Sequence, residues 1–380
     1  MSSKPCVFIL YNLRSGKASL QERDQLYRIA HDEIDTSRFQ LCFKDALELD
    51  RNFHDTLELA LDIQPEYFAV VGGDGTIQTT ATQLIKLYSQ ELPGESLPNM
   101  LVLPSGTMNN LSTSLGMFSV TSFNLLSLMP NRRFRTKSVN TFRRFVKALN
   151  DDCLETVRVP VIKVVCDGNE EDRQYGFIFA TGPVNRIIND YYARKGDLRG
   201  RSTAGTVRAI TAGLLTISQL AVYAFLFNGG DRYVPMKGHM VTEDETFFNP
   251  LAVAVSTIPK LGLLALSPFY LVRGEKGLCR AGTTGHVIIL TMEPRKLGAI
   301  TLYKGLTGRI RDRSDAVMIE TSRLLFQTEE PLPFLLDAQT EYPLPSEAGI
   351  VQMAPMRALE TMEVTVGEIQ VPLIQGFGKH

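Results

Sequence analysis

Residues 70–76 combine three glycines with one carboxylate, in the order Val-Val-Gly-Gly-Asp-Gly-Thr. The segment follows an apolar run and precedes a stretch with helical character. Glycine allows other groups to approach the backbone closely, and a helix N-terminus presents free N–H groups that suit phosphate. Asp74 would repel phosphate unless a metal ion, a donor or a proton to be removed lies beside it. The segment therefore predicts phosphate chemistry as well as phosphate binding.

Two further loops of the same kind lie at residues 12–16 (Asn-Leu-Arg-Ser-Gly) and 103–109 (Leu-Pro-Ser-Gly-Thr-Met-Asn). Each follows a predicted strand, as the first does. Ligands of open α/β sheets bind outside the carboxyl ends of the strands. One glycine loop alone is more often only a turn, but three loops at the same edge predict a nucleotide site.

Each residue type in these loops indicates a role. Gly72, Gly73 and Gly75 would present backbone N–H groups to phosphate, and Asp74 would lie near metal-bound phosphates. Thr76 is predicted as the helix N-cap, and its hydroxyl could also donate a hydrogen bond to phosphate. The same arrangement recurs at Ser105, Gly106 and Thr107. Asn12 and Asn109 could bind a base, a ribose or a phosphate, or could only stabilise their loops.

Strand and helix patterns alternate through the first third of the chain, which predicts a parallel sheet. The predicted strands are Cys6–Tyr11, Phe39–Phe43, Tyr67–Val71 and Met100–Leu103. The predicted helices are Leu20–Ile34, Phe53–Leu61 and Ile77–Tyr88, and a further helix is predicted at Thr141–Leu149.

The rest of the chain is richer in strand patterns punctuated by glycine and proline. We expect a second, mainly antiparallel domain, a β-sandwich. The predicted fold class is thus α/β followed by β, with a nucleotide-binding domain at 1–130 and a substrate domain at 131–373. A helical insertion is predicted near 184–220. The predicted strands are 157–166, 175–180, 233–241, 251–258, 286–292, 316–321, 334–336 and 356–366, and residues 376–380 are predicted as a frayed tail.

The chain has 380 residues, a formal net charge of −1, 44% hydrophobic and 21% charged residues. This balance is ordinary for a globular protein and gives no basic field for nucleic acid. The five cysteines show no C-x-x-C spacing, which favours a cytoplasmic location without a zinc site. The longest apolar stretch, Leu214–Phe227, is too short for a membrane span. Basic residues at 194, 195, 199 and 201 could meet anionic lipid or form a solvated helix face.

The two motifs Gly72-Gly-Asp-Gly-Thr76 and Leu103-Pro-Ser-Gly-Thr-x-Asn109 together resemble the diacylglycerol kinase catalytic domain family, which also includes sphingosine and ceramide kinases. Asn12-x-x-Ser15-Gly16 resembles the opening motif of that family and adds Ser15 and Gly16 to the nucleotide-binding residues. The match covers about residues 5–118. The resemblance implies an α/β nucleotide-binding domain similar to that of NAD kinases, a β-sandwich lipid domain, an active site between them, ATP and Mg²⁺.

The resemblance also implies an acidic triplet in a late turn of the second domain. Asp337 aligns with the aspartate of the family, while Ala338 and Gln339 replace the next two residues. Glu341 precedes Tyr-Pro-Leu and could restore the second carboxylate. Asp74, Asp337 and Glu341 are therefore the candidate catalytic residues, and the alternative is a hairpin with solvated acids. The protein ligands of a metal are left unassigned.

The leading hypothesis is an ATP-dependent lipid kinase that phosphorylates a lipid hydroxyl, with diacylglycerol giving phosphatidic acid. An NAD kinase shares Gly-Gly-Asp-Gly-Thr but not the second motif. A non-catalytic lipid- or nucleotide-binding protein is the alternative from another class. The expected partners are ATP and a lipid at a membrane surface, which implies a cytoplasmic or peripheral membrane location. A homodimer is compatible with the sequence.

Overall fold

The computed structural model describes residues 4–13, 19–46, 51–105, 110–115, 136–182, 235–258, 284–291, 316–329, 332, 334–337, 339–340, 343–344, 352–353 and 361–377. These residues pack into two compact units. The first unit comprises the described residues up to Val159 and from Gln370 onward, and the second comprises those from Pro160 to Ile369. The functional division predicted at 1–130 and 131–373 stays a prediction, because compactness does not assign a ligand to either unit.

The first unit alternates strands and helices, as predicted. Its elements in chain order are β1 (Cys6–Asn12), α1 (Leu20–Glu33), β2 (Gln40–Ala46), α2 (Arg51–Ile63), β3 (Tyr67–Gly72), α3 (Asp74–Glu91), β4 (Asn99–Pro104), α4 (Asn110–Ser114) and α5 (Thr136–Asn150). The helix predicted at Thr141–Leu149 is part of α5, which belongs to this unit.

The sheet of the first unit has the order β2-β1-β3-β4, and each neighbouring pair is parallel. All seven residues of β1 are buried. A strand buried on both faces reads as a continuous apolar run, which explains why its sequence lacks polar alternation. Phe8 stacks on Phe68 of the neighbouring strand, with ring centroids 5.0 Å apart. The α/β prediction for the first part of the chain is thus confirmed.

Strands dominate the described residues of the second unit. They are β5 (Leu154–Cys166), β6 (Gln174–Gly176), β7 (Ile178–Thr181), β8 (Gly238–Val241), β9 (Thr246–Phe248), β10 (Ala252–Ser256), β11 (Gly285–Leu290), β12 (Ala316–Thr321), β13 (Arg323–Thr328), β14 (Phe334–Leu336), β15 (Gln339–Thr340), β16 (Pro343–Leu344), β17 (Gln352–Met353) and β18 (Thr361–Phe377). Both β5 and β18 begin in one unit and end in the other.

Two antiparallel layers share one hydrophobic core in the second unit. One layer has the order β12-β11-β10-β7-β14-β15, and the other contains β9, β8, β13 and the first part of β18. Alternate residues of each strand enter the core: Val253 and Val255 from β10, and Leu324 and Phe326 from β13. This period of two is the expected pattern for a layer with one buried face. The predicted antiparallel sandwich is confirmed.

The last described strand departs from the sequence prediction. A strand was predicted at 356–366, whereas β18 begins at Thr361 and continues to Phe377, so Gly376 and Phe377 are not part of a frayed tail. The terminal part of β18 runs parallel to β4, with Leu373 opposite Met100. Because Leu373 and its neighbours Val371 and Ile374 are fully buried, this segment completes the core of the first unit. Strand β13 was not predicted.

Some predictions fall outside the described residues. These are the helical insertion near 184–220, the apolar stretch Leu214–Phe227 and the basic residues at 194, 195, 199 and 201. Among the helices that the structure describes, none combines the length and the apolar character needed to cross a bilayer.

The pairing of β18 with β4 generates a stability prediction. Leu373→Ala should lower the free energy of unfolding by about 2–5 kcal/mol, because it removes a fully buried side chain and leaves a cavity. Leu20→Ala is the control, since Leu20 is 63% exposed and should change stability by no more than about 0.5 kcal/mol. Urea unfolding of both variants measures the difference, and equal effects would contradict the assigned burial.

Candidate functional site

The strand register brings three predicted loops to the same edge of the parallel sheet. Tyr11 lies opposite Val71, and Gly72 lies opposite Pro104, so the carboxyl ends of β1, β3 and β4 are level. The chain passes from β1 to β2 on one side and then to β3 on the other. Crevices at such a switch of direction are the usual ligand sites of open α/β sheets. Asn12 and Gly72 flank this switch point.

A buried hydrogen bond joins the end of β1 to the first turn of α3. The side-chain amide of Asn12 donates to Thr76 Oγ1 at 2.9 Å, across 64 residues of sequence. The exposed fraction is 5% for Asn12 and 6% for Thr76. Asn12 therefore has the loop-stabilising role that the sequence left open, and its contact with a nucleotide stays a prediction. Two of the predicted site residues are brought together directly.

The start of α3 corrects one prediction. The helix begins at Asp74, and its N-cap is Gly73 with extended backbone (φ −90°, ψ 176°), so the N-cap assignment of Thr76 is wrong. The strand ends at Gly72, so Gly73 alone makes the change from strand to helix, and Thr76 already lies in the first turn. Gly73 brings no side-chain hydrogen bond to that turn. A first turn capped by glycine is the arrangement that suits an anion at a helix N-terminus.

Gly72 is required by the close approach of the helix. A Cβ atom on Gly72 would lie 2.6 Å from Thr76 Cβ and 2.9 Å from Thr76 Oγ1. Carbon atoms in contact are normally about 3.5–4.0 Å apart. Only glycine lets the threonine pack against the backbone here. Gly72 was predicted to leave room for a phosphate. In the structure it leaves room for the side chain of Thr76, in the helix that follows.

Ser105 ties the third loop to the second. Its backbone N–H donates to the carbonyl oxygen of Gly72 at 2.9 Å, and its hydroxyl donates to Glu22 Oε2 at 3.3 Å. Ser105 is 1% exposed and Glu22 is 6% exposed. Glu22 was not predicted as a site residue. Its only signal was an acid in the first turn of a helix, which usually indicates a favourable interaction with the helix dipole and nothing more.

The structure describes only some of the other residues that were predicted to form the nucleotide and catalytic site. Gly75 lies in the first turn of α3 and is half-buried. The backbone of Asp74 opens the same turn, while its side chain lies outside the described residues, as do Ser15, Gly16, Gly106, Thr107, Asn109 and Glu341.

Asp337 occupies the turn between β14 and β15, as its alignment predicted. Its backbone is left-handed, with φ 49°, and its side chain is 4% exposed. The carboxylate accepts from Phe177 N at 3.0 Å with both oxygens, and from Ile178 N at 2.8 Å with Oδ1. The alternative of a solvated acid is therefore wrong for Asp337. Two backbone N–H groups instead hold its carboxylate in place.

Gly176 is the counterpart of Gly72 at this second position. A Cβ on Gly176 would lie 2.7 Å from Leu336 Cγ and 2.9 Å from Asp337 Oδ2. The carboxylate of Asp337 thus reaches the N–H groups of residues 177 and 178 only because residue 176 has no side chain. Within the described ranges, no group of three or more His, Cys, Asp or Glu side chains is arranged to hold a metal ion.

The hydrogen bond between Asn12 and Thr76 predicts energetic coupling. In a double-mutant cycle, Asn12→Ala and Thr76→Val should show an interaction energy of about 0.5–1.5 kcal/mol. The control cycle pairs Asn12→Ala with Thr82→Val, which lies further along α3 than Thr76, and should be additive within about 0.5 kcal/mol. Chemical unfolding of the single and double variants measures both. Additivity in the first cycle would contradict the contact.

The first part of the chain is similar to a known protein family. The model of the diacylglycerol kinase catalytic domain family matches residues 6–141. No curated protein sequence matches the chain. The described fold is similar to the crystal structure of a diacylglycerol kinase from Bacillus anthracis strain Sterne, with a TM-score of 0.56, 14% identity and 98% of each chain covered.

Two structures described as candidate diacylglycerol kinases of the same organism give TM-scores of 0.59, at 14% identity and with 98% of each chain covered. At this identity the structural similarity shows the fold, and the family match supports a lipid kinase as the class of enzyme. Residues 6–141 match the model of the diacylglycerol kinase catalytic domain family, which confirms the predicted resemblance for that part of the chain.

Proposed function

We propose that the protein is an ATP-dependent lipid kinase that transfers the γ-phosphoryl group of ATP to a lipid hydroxyl, with diacylglycerol as substrate and phosphatidic acid as product. One observation carries the proposal. The ends of β1, β3 and β4 converge through the contacts Asn12–Thr76 and Ser105–Gly72, inside the segment that matches the catalytic domain family. The lipid would be met at a membrane surface.

The nucleotide phosphates would lie at the start of α3. Backbone N–H groups of the first turn and the positive end of the helix dipole suit the charge of the phosphates. The residues that would line this site are Asn12, Ser15, Gly16, Gly72, Gly73, Asp74, Gly75, Thr76, Ser105, Gly106, Thr107 and Asn109. Mg²⁺ carried by ATP would offset charge on the phosphates, which themselves supply many of the metal's ligands. The nucleotide domain is proposed at 1–130 and the lipid domain at 131–373.

The candidate acids receive different roles in this proposal. Asp74 opens α3, at the place proposed for the phosphates, and is proposed to orient and deprotonate the attacking hydroxyl. Asp337 is proposed as a positioning residue, because its carboxylate already accepts two backbone N–H groups in a buried turn. Glu341 is proposed as the second acid of the lipid side.

A lipid panel tests the activity. Radiolabelled ATP is offered with diacylglycerol, sphingosine, ceramide and, separately, NAD, and transfer is followed for the wild type, Asp74→Asn and Asp62→Asn. Asp62 is the matched control, an exposed acid on α2. We expect label in phosphatidic acid, about a hundredfold or greater loss for Asp74→Asn, as for removal of a general base, and no loss for Asp62→Asn.

The same panel separates the alternatives. Label in NADP would indicate an NAD kinase. ATP binding without transfer to any acceptor would indicate a non-catalytic binding protein. Retention of lipid kinase activity by Asp74→Asn would refute the role of that residue while leaving the activity intact.

The contacts of Asp337 give a second prediction. Asp337→Asn turns one oxygen that faces a backbone N–H into a donor, which should cost about 1–3 kcal/mol of unfolding free energy. Because the residue is proposed to act through the turn, kcat should fall less than in Asp74→Asn. Asp244→Asn, an exposed acid in the hairpin between β8 and β9, is the control. A loss of kcat as large as that of Asp74→Asn, without loss of stability, would make Asp337 a direct participant.

A further inference from the structure

Glu22 is a buried carboxylate for which the motifs assign no role. It lies in the first turn of α1, whose N-cap is Ser19, and it is 6% exposed. Burial of a charged carboxylate costs several kcal/mol unless hydrogen bonds compensate. The hydrogen-bond donors that compensate this burial therefore show which parts of the chain the Glu22 carboxylate holds in place.

One donor comes from the loop after β4. The hydroxyl of Ser105 donates to Glu22 Oε2 at 3.3 Å, while the backbone N–H of the same residue donates to Gly72 O at 2.9 Å. Ser105 is thus held from two directions, by its main chain to β3 and by its side chain to α1. Ser105 is also among the residues proposed to contact phosphate.

The other donor comes from β1. Tyr11 OH lies 3.0 Å from Glu22 Oε2 and also 3.0 Å from the backbone oxygen of Ser19, so these two acceptors share its proton. The phenol oxygen accepts from the backbone N–H of Ser19 at 3.1 Å. Burial, and then the nearby Glu22 carboxylate, raise the pKa of the Tyr11 phenol, so the phenol keeps its proton and can donate. Tyr11 directly precedes Asn12, whose amide donates to Thr76.

Glu22 therefore touches both flanks of the proposed nucleotide site through one oxygen. On one side the path runs through Ser105 to the end of β3, and on the other through Tyr11 to Asn12 and the first turn of α3. The carboxylate accepts in both directions, which an apolar residue could not do. A glutamine keeps one oxygen but brings an N–H₂ group to the same space.

We infer that Glu22 is a positioning residue of the nucleotide site, which holds the end of β1 and Ser105 after β4 at the separation that ATP requires without touching ATP itself. This inference rests on the proposed function. It adds to the site a residue that lies on α1, outside all three loop motifs.

The experiment measures ATP affinity by isothermal titration calorimetry, without lipid, for the full chain and for Glu22→Ala, Glu22→Gln and Ser105→Ala. Glu33→Gln is the matched control, because Glu33 lies at the other end of α1 and pairs with Arg143 at the surface. Thermal unfolding of each variant fixes a titration temperature at which all are folded.

We expect the Kd for ATP to rise about tenfold in Glu22→Ala, the change that a loss of about 1.4 kcal/mol produces. Glu22→Gln should lie between Glu22→Ala and the wild type, and Ser105→Ala should shift in the same direction. In the lipid kinase assay the KM for ATP should rise more than kcat falls. Glu33→Gln should bind ATP as the wild type does.

Three results would overturn the inference. If the wild type binds ATP and both Glu22→Gln and Ser105→Ala, when folded, keep its affinity, Glu22 has only a structural role. Variants of Glu22 that lower the melting temperature but not the affinity likewise show a purely structural role. If the wild type binds no ATP and labels no lipid, the proposed function itself fails and the inference fails with it.

Discussion

Thr76 packs against the backbone of Gly72 so closely that any side chain on Gly72 would collide with it. Strand β3 can therefore pass into α3 with Gly73 as the only intervening residue. The short connection places the first turn of the helix at the level where β1 ends, within reach of Asn12. Replacement of Gly72 by any larger residue would force α3 away from the sheet edge. The loop contacts, and the site proposed on them, depend on this approach.

In the second unit, too, a glycine leaves room for the close approach of a polar side chain. A turn that carries a buried carboxylate must reach N–H groups of a neighbouring strand, and Gly176 leaves room for Asp337 to do so. Around it, alternate residues from facing strands fill one apolar core. A carboxylate at the margin of such a core is tolerated because N–H groups satisfy it.

The sequence predicted the parallel sheet well because buried strands such as β1 and β3 are continuous apolar runs bounded by glycine and polar residues. It also predicted that Asn12, Gly72 and Ser105 would meet, since carboxyl ends of parallel strands share one edge. It could not predict the partner of each side chain. Thr76 has a residue type that favours the N-cap position. The N-cap is instead Gly73, because α3 begins directly after it and β3 ends at Gly72.

Glu22 and the second half of β18 were missed for different physical reasons. An acid in a first helical turn is usually explained by the helix dipole, and only the three-dimensional contact with Ser105 distinguishes it. The strand pattern at 356–366 does not continue visibly past Gly367, which has φ 87°, so the pairing of β18 with β4 leaves no mark on the local sequence. The periodicity of apolar residues predicts local secondary structure, but it does not show which distant segments contact each other.

The pairing of Leu373 with Met100 also has a consequence for how the protein is made. A ribosome adds about 5–20 residues per second, so roughly 14–55 s separate the synthesis of these two residues. During that interval β4 lacks its partner on one edge, and an unpaired strand edge is open to association with other chains. The part of the chain that is synthesised first therefore cannot complete its core early.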